Sequence, residues 1–218
     1  MADDDKKSVD ALEIASAIVI SIAGLGSSWA NYEAGLWDGE QAAHYSQANA
    51  KRVQATRVAL EGDALEAVEN HMFSAWLDAK ARGDEQLATF YQARFPAGMK
   101  PAFNEWLGQQ PLKNPSAPPT PFATTGYQRP GLAQSQKLDQ QADETFNKGQ
   151  YANAVSDAFE QGSTVLALAL FFGGIGQVFK MRTTRIVLLV IAGVAVVGGF
   201  IRLFSLPIQM IGLGPPGS

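Results

Sequence analysis

The sequence contains no cysteine and only two histidines, His44 and His71, in 218 residues. Without cysteine there is no disulfide framework, no thiolate nucleophile and no Cys-ligated zinc or iron–sulfur site. Neither histidine has a glutamate three residues before it, the spacing that helical di-iron sites use. Glu40 and His44 are i,i+4 neighbours on a helix, and we interpret them as a surface pair, with a shared metal as the alternative. We therefore predict no metal site and no cofactor.

Motifs for enzymatic chemistry are also missing. The chain has no Ser-His-Asp order, no phosphate-binding Gly-Lys-Ser/Thr and no dinucleotide fingerprint. Its net charge is -4, and it lacks a Lys/Arg cluster with interleaved aromatic residues, which argues against a nucleic-acid partner. The sequence predicts a protein that is not an enzyme, with neither catalytic nor cofactor-binding residues.

Three long apolar runs are what the sequence does contain: Leu12–Ala30, Gly162–Phe179 and Ile186–Leu206. A helix needs roughly 20 residues to cross a membrane, and each run has about that length. The remainder is polar, which keeps the mean hydropathy of the chain close to neutral. We predict an all-α integral membrane protein with three transmembrane helices at 12–30, 162–179 and 186–206, and with a helical extracytoplasmic domain at 31–160.

Basic residues predict how the chain crosses the membrane. Lys180–Arg185 is a short loop with three positive charges between the second and third runs, and Lys6 and Lys7 precede the first run. The positive-inside rule places both segments in the cytoplasm. The N-terminus, 1–11, is then cytoplasmic, whereas 31–160 and the tail, 207–218, lie outside. We predict the bacterial inner (cytoplasmic) membrane, with the main domain in the periplasm.

A cleaved signal peptide is the alternative for the first run, because Ser28-Trp29-Ala30 resembles a small-x-small cleavage site. Two features favour a retained helix. The segment before the run opens with Asp3-Asp4-Asp5, and the run is long for a signal peptide.

A long helix is predicted directly after the first run, because Glu33–Arg82 has no proline and is rich in strong helix formers. It either continues the transmembrane helix or forms a separate one. Its acidic residues are interpreted as a solvated face: Asp63, Glu66 and Glu69. The Gly83 turn then leads to two short helices, and a final outer helix runs from Leu132 to about Glu160. One tetratricopeptide-like segment within 147–159 is the alternative for part of that last helix.

Aromatic residues cluster in the predicted outer domain: Phe73, Trp76, Phe90, Tyr91, Phe95, Phe103 and Trp106. We interpret them as a small core, with an aromatic cofactor site as the alternative. A Pro-rich loop follows at 110–131, with Phe122 and Tyr127 available to hold it against the helices. We expect this loop to be a structural strap, and a PxxP ligand motif at Pro115–Pro118 is the alternative.

Small residues recur at helical spacing in all three apolar runs. They are Ala17, Ser21, Gly24, Ser28 and Asn31 in the first, Ala169, Gly173 and Gly176 in the second, and Ala195 and Gly199 in the third. Small side chains let membrane helices approach closely. Three interpretations stay open: packing within the chain, packing in an oligomer, and a water-lined pore with Ser21, Ser28 and Asn31 facing the lumen.

Charged residues flank the predicted membrane segments and are candidates for function. Glu13 is expected to pair with Arg182 or Arg185. Arg202 is expected either to reach the lipid headgroups or to pair with Asp157 or Glu160. Together with Glu33, Asp38 and Glu40, these last two carboxylates would form an acidic ring at the outer surface of an oligomer.

Several segments carry a family resemblance: 30–37 with 39–41, 76–79, Arg94-Phe95, 111–114, Pro121-Phe122 and 170–175. On these segments the chain resembles a family of uncharacterised bacterial three-span membrane proteins. The resemblance implies one N-terminal span, a helical extramembrane insert and a C-terminal hairpin of spans, and it implies no activity.

These observations predict a non-enzymatic membrane scaffold or accessory subunit. Its expected partners are the lipid bilayer and either further copies of the chain or the subunits of a larger membrane complex. The alternative is a homo-oligomeric ion channel with the first transmembrane helix lining the pore.

Overall fold

The computed structural model describes residues 11–209, and within this range the chain forms helices and no strands. The predicted all-α class is confirmed. The predicted ends of the chain, most of 1–11 and of 207–218, lie outside the described residues. The described residues form five α-helices and one 3₁₀ turn: α1 Ala11–Ala81, α2 Glu85–Arg94, α3 Met99–Gly108, the 3₁₀ turn Pro121–Ala123, α4 Leu132–Gly176 and α5 Arg182–Phe204.

Two of these helices are long. Helix α1 has 71 residues, so the first apolar run and the proline-free segment after it belong to one helix. Helix α4 has 45 residues and passes through Gly149 without a break, so the helix–turn–helix of a tetratricopeptide unit is not formed there. Gly149 serves a packing purpose instead, because a Cβ at this position would lie 2.6 Å from the ring of Tyr45.

Among residues 11–209, three helices are long and apolar enough to cross a membrane: α1, α4 and α5. The segment between α4 and α5 differs from the predicted boundaries. Helix α4 ends at Gly176 rather than at 179, and α5 already begins at Arg182. The apolar run sets the limits of a span, whereas arginine is a good helix former and lets the helix begin before that run.

The described chain divides into two compact units, residues 11–46 with 145–209 and residues 47–144, to which α1 and α4 both contribute. In the first unit, segments of α1, α4 and α5 bury Phe159, Leu166 and Leu203. The ring of Trp29 meets that of Phe159 edge to face, with 6.0 Å between the centroids. A second cluster of this unit joins the three helices through Ala23, Ala169 and Ala192.

The second unit contains the predicted aromatic core. Its buried aromatic residues are Phe73, Trp76, Phe95, Phe103 and Trp106, with Tyr91 and Phe122 packed against them. Trp76 and Phe103 meet edge to face at 4.9 Å, a geometry that the ring quadrupoles favour. Phe90 was expected in this core and is instead 48% exposed. Its ring lies 3.7 Å below the guanidinium of Arg94, which gives it a cation–π contact at the surface.

The Pro-rich loop of the second unit packs along this core. Trp106 Nε1 donates a hydrogen bond of 2.7 Å to the carbonyl of Pro118. The Phe122 ring meets Phe73 edge to face at 5.8 Å. Gly131 closes the loop with φ at +73°, in the left-handed region where a side chain would be strained. These contacts are those of a structural strap.

Candidate functional site

The small residues of α4 and α5 lie at helix–helix contacts inside the first unit. Ala169, Gly173, Gly176 and Gly199 are buried, and Ala195 packs against the alanine cluster. A Cβ at Gly173 would lie 2.9 Å from Ile20, and one at Gly199 would lie 2.8 Å from Leu166. Both distances are too short for a side chain, so these glycines set how closely the helices approach.

Helix α1 packs through a face that the sequence did not single out. Ser16, Ala23, Gly26 and Ala30 are buried. A Cβ at Gly26 would lie 2.5 Å from the ring of Phe200. Beside it, the hydroxyls of Ser27 and Ser163 hydrogen-bond at 2.7 Å. This face, rather than the predicted small stripe, holds α1 to its neighbours within the unit.

The predicted stripe lies on the other side of α1, and we call it the outward stripe: Ala17, Ser21, Gly24, Ser28 and Asn31. Four of its members are exposed and Gly24 is half-buried. The Ser21 hydroxyl donates to the Ala17 carbonyl at 2.7 Å, within its own helix. Within the unit, the close glycine contact with α5 is made by Gly26 on the opposite side, and a Cβ at Gly24 would lie 3.9 Å from Leu170 of α4.

Near the start of α1, the expected ion pair forms with one of its two candidate arginines. Glu13 Oε1 lies 3.7 Å from Arg185 Nη2. Arg185 is half-buried and Arg182 is exposed. The pair joins the first turn of α1 to the first turn of α5.

The alternative for Arg202, an ion pair with Asp157 or Glu160, does not form among the described residues. Asp157 accepts a hydrogen bond of 3.0 Å from Asn153 on its own helix. Glu160 and Arg202 are both exposed, and Arg202 forms an ion pair with neither carboxylate. Arg202 lies in the last turn of α5, where a positive charge is favourable against the helix dipole.

Glu33 is placed differently from the rest of the predicted acidic ring. Its side chain is 2% exposed, and Oε2 accepts a hydrogen bond of 2.9 Å from the backbone N–H of Gln209. One turn further along α1, Trp37 Nε1 donates to the carbonyl of Pro207 at 3.2 Å. These two side chains fasten the segment after α5 to α1, so Glu33 does not form part of an exposed ring.

Glu40 and His44 lie within ion-pair distance of each other on α1. His44 Nε2 lies 3.7 Å from Glu40 Oε2. Across residues 11–209, no group of three or more His, Asp or Glu side chains is arranged to hold a metal ion. Two ligands from one helix are fewer than the three that catalytic zinc sites take from the protein.

In the second unit, the acidic face of α1 is covered by the end of the Pro-rich loop. Arg129 donates to Asp63 at 2.8 Å and to Glu66 at 2.7 Å, and the hydrogen bond and charge of Glu66 raise the pKa of the guanidinium. The Tyr127 hydroxyl donates to Glu69 Oε2 at 2.8 Å. Burial, followed by the hydrogen bond and charge of Glu69, raises the pKa of Tyr127 above its usual range.

The interpretation of this face as solvated is therefore wrong for Glu69, which is 2% exposed. The contact depends on Gly62, whose Cα faces the carbonyl of Pro130 so closely that no side chain fits. Two sequence signals pointed to this contact: Tyr127, expected to hold the loop against the helices, and a glycine inside a strongly helical segment with acidic residues at helical spacing after it.

Comparisons with protein-family models, curated proteins and solved structures find no match to the chain.

Proposed function

We propose that the protein is a non-enzymatic integral membrane scaffold or accessory subunit that self-associates or joins a larger membrane complex. The outward stripe carries this proposal. It presents small and weakly polar residues along an exposed face of a helix that is long and apolar enough to cross a membrane. Helices in lipid associate through close van der Waals contact and weak polar bonds, which such a face provides.

The interior of the first unit supports the same physical argument. Gly26, Gly173 and Gly199 each take a large side chain of a neighbouring helix at a distance that excludes a Cβ. The chain thus already joins its apolar helices by pressing large side chains onto small positions. A partner helix with large apolar residues would complete the outward stripe in the same way.

The proposed topology follows from the basic residues. Arg182 and Arg185 lie in the first turn of α5, and Lys180 precedes them. We place this end of α5 and the N-terminus in the cytoplasm, and 31–160 outside a bacterial inner membrane. The outer part would then be available to periplasmic partners.

A homo-oligomeric ion channel is the second candidate, because Ser21, Ser28 and Asn31 share the exposed face. Within residues 11–209, the side chains of Ser28 and Asn31 have no hydrogen-bond partner. In a closed ring they would face a common lumen, where hydroxyl and amide groups can replace part of the hydration of an ion.

The test of the scaffold proposal is the mass of the purified particle in nanodiscs. We expect the wild type to be larger than a monomer, either as several copies or with other subunits bound. Ser28→Leu should reduce that mass, because the added bulk separates the partner helix from the outward stripe. Ala167→Leu is the matched control, since Ala167 is exposed on α4 and its substitution adds a similar volume.

A monomeric wild type, or equal losses of mass in both variants, would contradict the proposed interface. Ion flux into proteoliposomes separates the two candidates. A channel requires flux in the wild type that Ser28→Leu abolishes. A wild-type particle that is larger than a monomer but gives no flux is a scaffold and not a channel.

A further inference from the structure

A cleft of about 1020 Å³ lies in the second unit. It is bounded by α1 at Leu65–Glu69, by the segment between α2 and α3, and by the end of the Pro-rich loop with the start of α4. Three of its wall residues, Leu65, Val68 and Leu132, are 56%, 51% and 41% exposed, so this is an open cleft rather than an enclosed cavity, with a volume near the top of the range of small-molecule sites, roughly 300–1000 Å³.

Glu69 is the polar group that distinguishes this cleft. The side chain is 2% exposed, yet it lines the cleft. Tyr127 holds one carboxylate oxygen, Oε2, and among residues 11–209 the other oxygen, Oε1, has no hydrogen-bond partner. The heavy atom nearest to a Cβ built on Gly98 would be this Oε1, at 3.9 Å, an ordinary contact distance, and Gly98 itself places no side chain against the oxygen.

The charges around the cleft favour a cation. Arg129, the cationic residue of the lining, is bound to Asp63 and Glu66 at 2.8 and 2.7 Å and is not directed to Glu69. A carboxylate that has lost most of its water gains much from a charged donor, since hydrogen bonds with ionised partners are about twice as strong as neutral ones.

The walls favour an organic cation over a metal ion. Apolar side chains face the cleft from three segments: Leu65 and Val68, Pro96 and Pro101, and Pro130 and Leu132. A bare divalent metal ion requires several oxygen ligands, whereas one free carboxylate oxygen between apolar walls matches an ammonium group on a short hydrocarbon chain.

We propose that the cleft binds a protonated primary amine on a short apolar chain, with the ammonium group donating to Oε1 of Glu69 and the hydrocarbon lying between Val68 and Pro101. The same chemistry has two sources, a free alkylamine and the lysine side chain of a partner. This inference concerns the second unit alone and does not depend on the proposed membrane assembly.

Calorimetric titration of the full chain in nanodiscs tests the proposal, with empty nanodiscs correcting for partition into lipid. The probes are butylammonium chloride and N-acetyl-lysine methylamide, with 1-butanol as the uncharged analogue at equal ionic strength. We expect Glu69-dependent binding of at least one amine and none of the alcohol. The tighter amine identifies the source.

Two variants test the site from opposite directions. Glu69→Gln keeps the shape and can still accept from Tyr127, and it should weaken binding about tenfold or more. Gly98→Leu keeps the carboxylate but fills the space before Oε1, and it should also weaken binding. Gly98 has φ at −65°, so leucine fits its backbone. Glu61→Gln is the matched control, because it removes an exposed carboxylate from the same helix.

The proposal is overturned if neither amine binds, if the alcohol binds as tightly as the amines, or if Glu61→Gln weakens binding as much as Glu69→Gln does. Helix content from circular dichroism, unchanged in each variant, shows that a loss of binding does not come from unfolding.

Discussion

Two glutamates of α1 show that the residue type alone does not decide whether a side chain is buried. Glu33 and Glu69 are both 2% exposed, although the sequence predicted Glu33 in an acidic ring at the outer surface and Glu69 on a solvated face. Each accepts a hydrogen bond from a distant part of the chain, Glu33 from Gln209 and Glu69 from Tyr127. Helical periodicity gives the direction of a side chain on its own helix but not the segment that covers it. The burial of both residues could therefore not be predicted from the sequence.

The Tyr127–Glu69 hydrogen bond predicts a dependence of stability on alkaline pH. The pKa of Tyr127 is raised in the folded protein, so the folded state holds the phenolic proton more tightly than the unfolded state. The stabilisation is complete below the unfolded pKa of about 10 and is lost as the pH rises from there through the folded pKa. Tyr127→Phe should lower the free energy of unfolding by about 1–3 kcal/mol at neutral pH.

The measurement is the difference in unfolding free energy between the wild type and Tyr127→Phe across the alkaline range. We expect this difference to shrink above about pH 10, where the unfolded phenol ionises. The comparison cancels the titration of lysines and of other tyrosines, which both proteins share. A difference that stays constant or grows with pH would show that the hydroxyl does not donate to Glu69.

At the scale of the helix, the composition was enough to predict where the long helices lie along the chain. It was not enough to predict which face of each helix packs. The absence of proline from 33 to 82 and the apolar runs predicted α1, α4 and α5. The face of α1 could not be chosen in the same way, because two stripes of small residues run along it. Gly26 against Phe200 decides which of them packs. That contact joins residues 174 positions apart, and no local pattern contains it.

Two adjacent glycines of α5 test the helix packing. Leucine at Gly199 would overlap Leu166, whereas a Cβ at Gly198 meets nothing within 4 Å. We expect Gly199→Leu to destabilise the first unit by about 1–3 kcal/mol, the usual cost of overpacking. Gly198→Leu should be neutral or slightly stabilising, because leucine has the higher helix propensity.

Thermal unfolding in detergent, followed by circular dichroism, separates the two variants. The same substitution in neighbouring positions keeps the change in helix propensity and hydrophobicity equal. Midpoints that fall equally in both variants would mean that α5 does not pack through Gly199.

For the whole molecule, the distribution of charge predicts the direction in which the chain crosses the membrane, which the packing of the helices does not. The three apolar helices fit a membrane in either direction, because length and apolarity have no sign. Only the basic residues around the start of α5 and before α1 distinguish the two sides. The direction of insertion is therefore a separate claim from the fold, and it needs its own measurement.

Because the chain has no cysteine of its own, any label on the purified protein comes from a thiol introduced by substitution. Ser116→Cys places one thiol on the exposed Pro-rich loop, and Thr183→Cys places one on the exposed first turn of α5. A membrane-impermeant maleimide applied to intact spheroplasts should label position 116, and it should label position 183 only after permeabilisation. The reverse result would place the Pro-rich loop in the cytoplasm. Labelling of both positions in intact spheroplasts would mean that α4, which lies between them, does not cross the bilayer, and the proposed three-span topology would then be wrong.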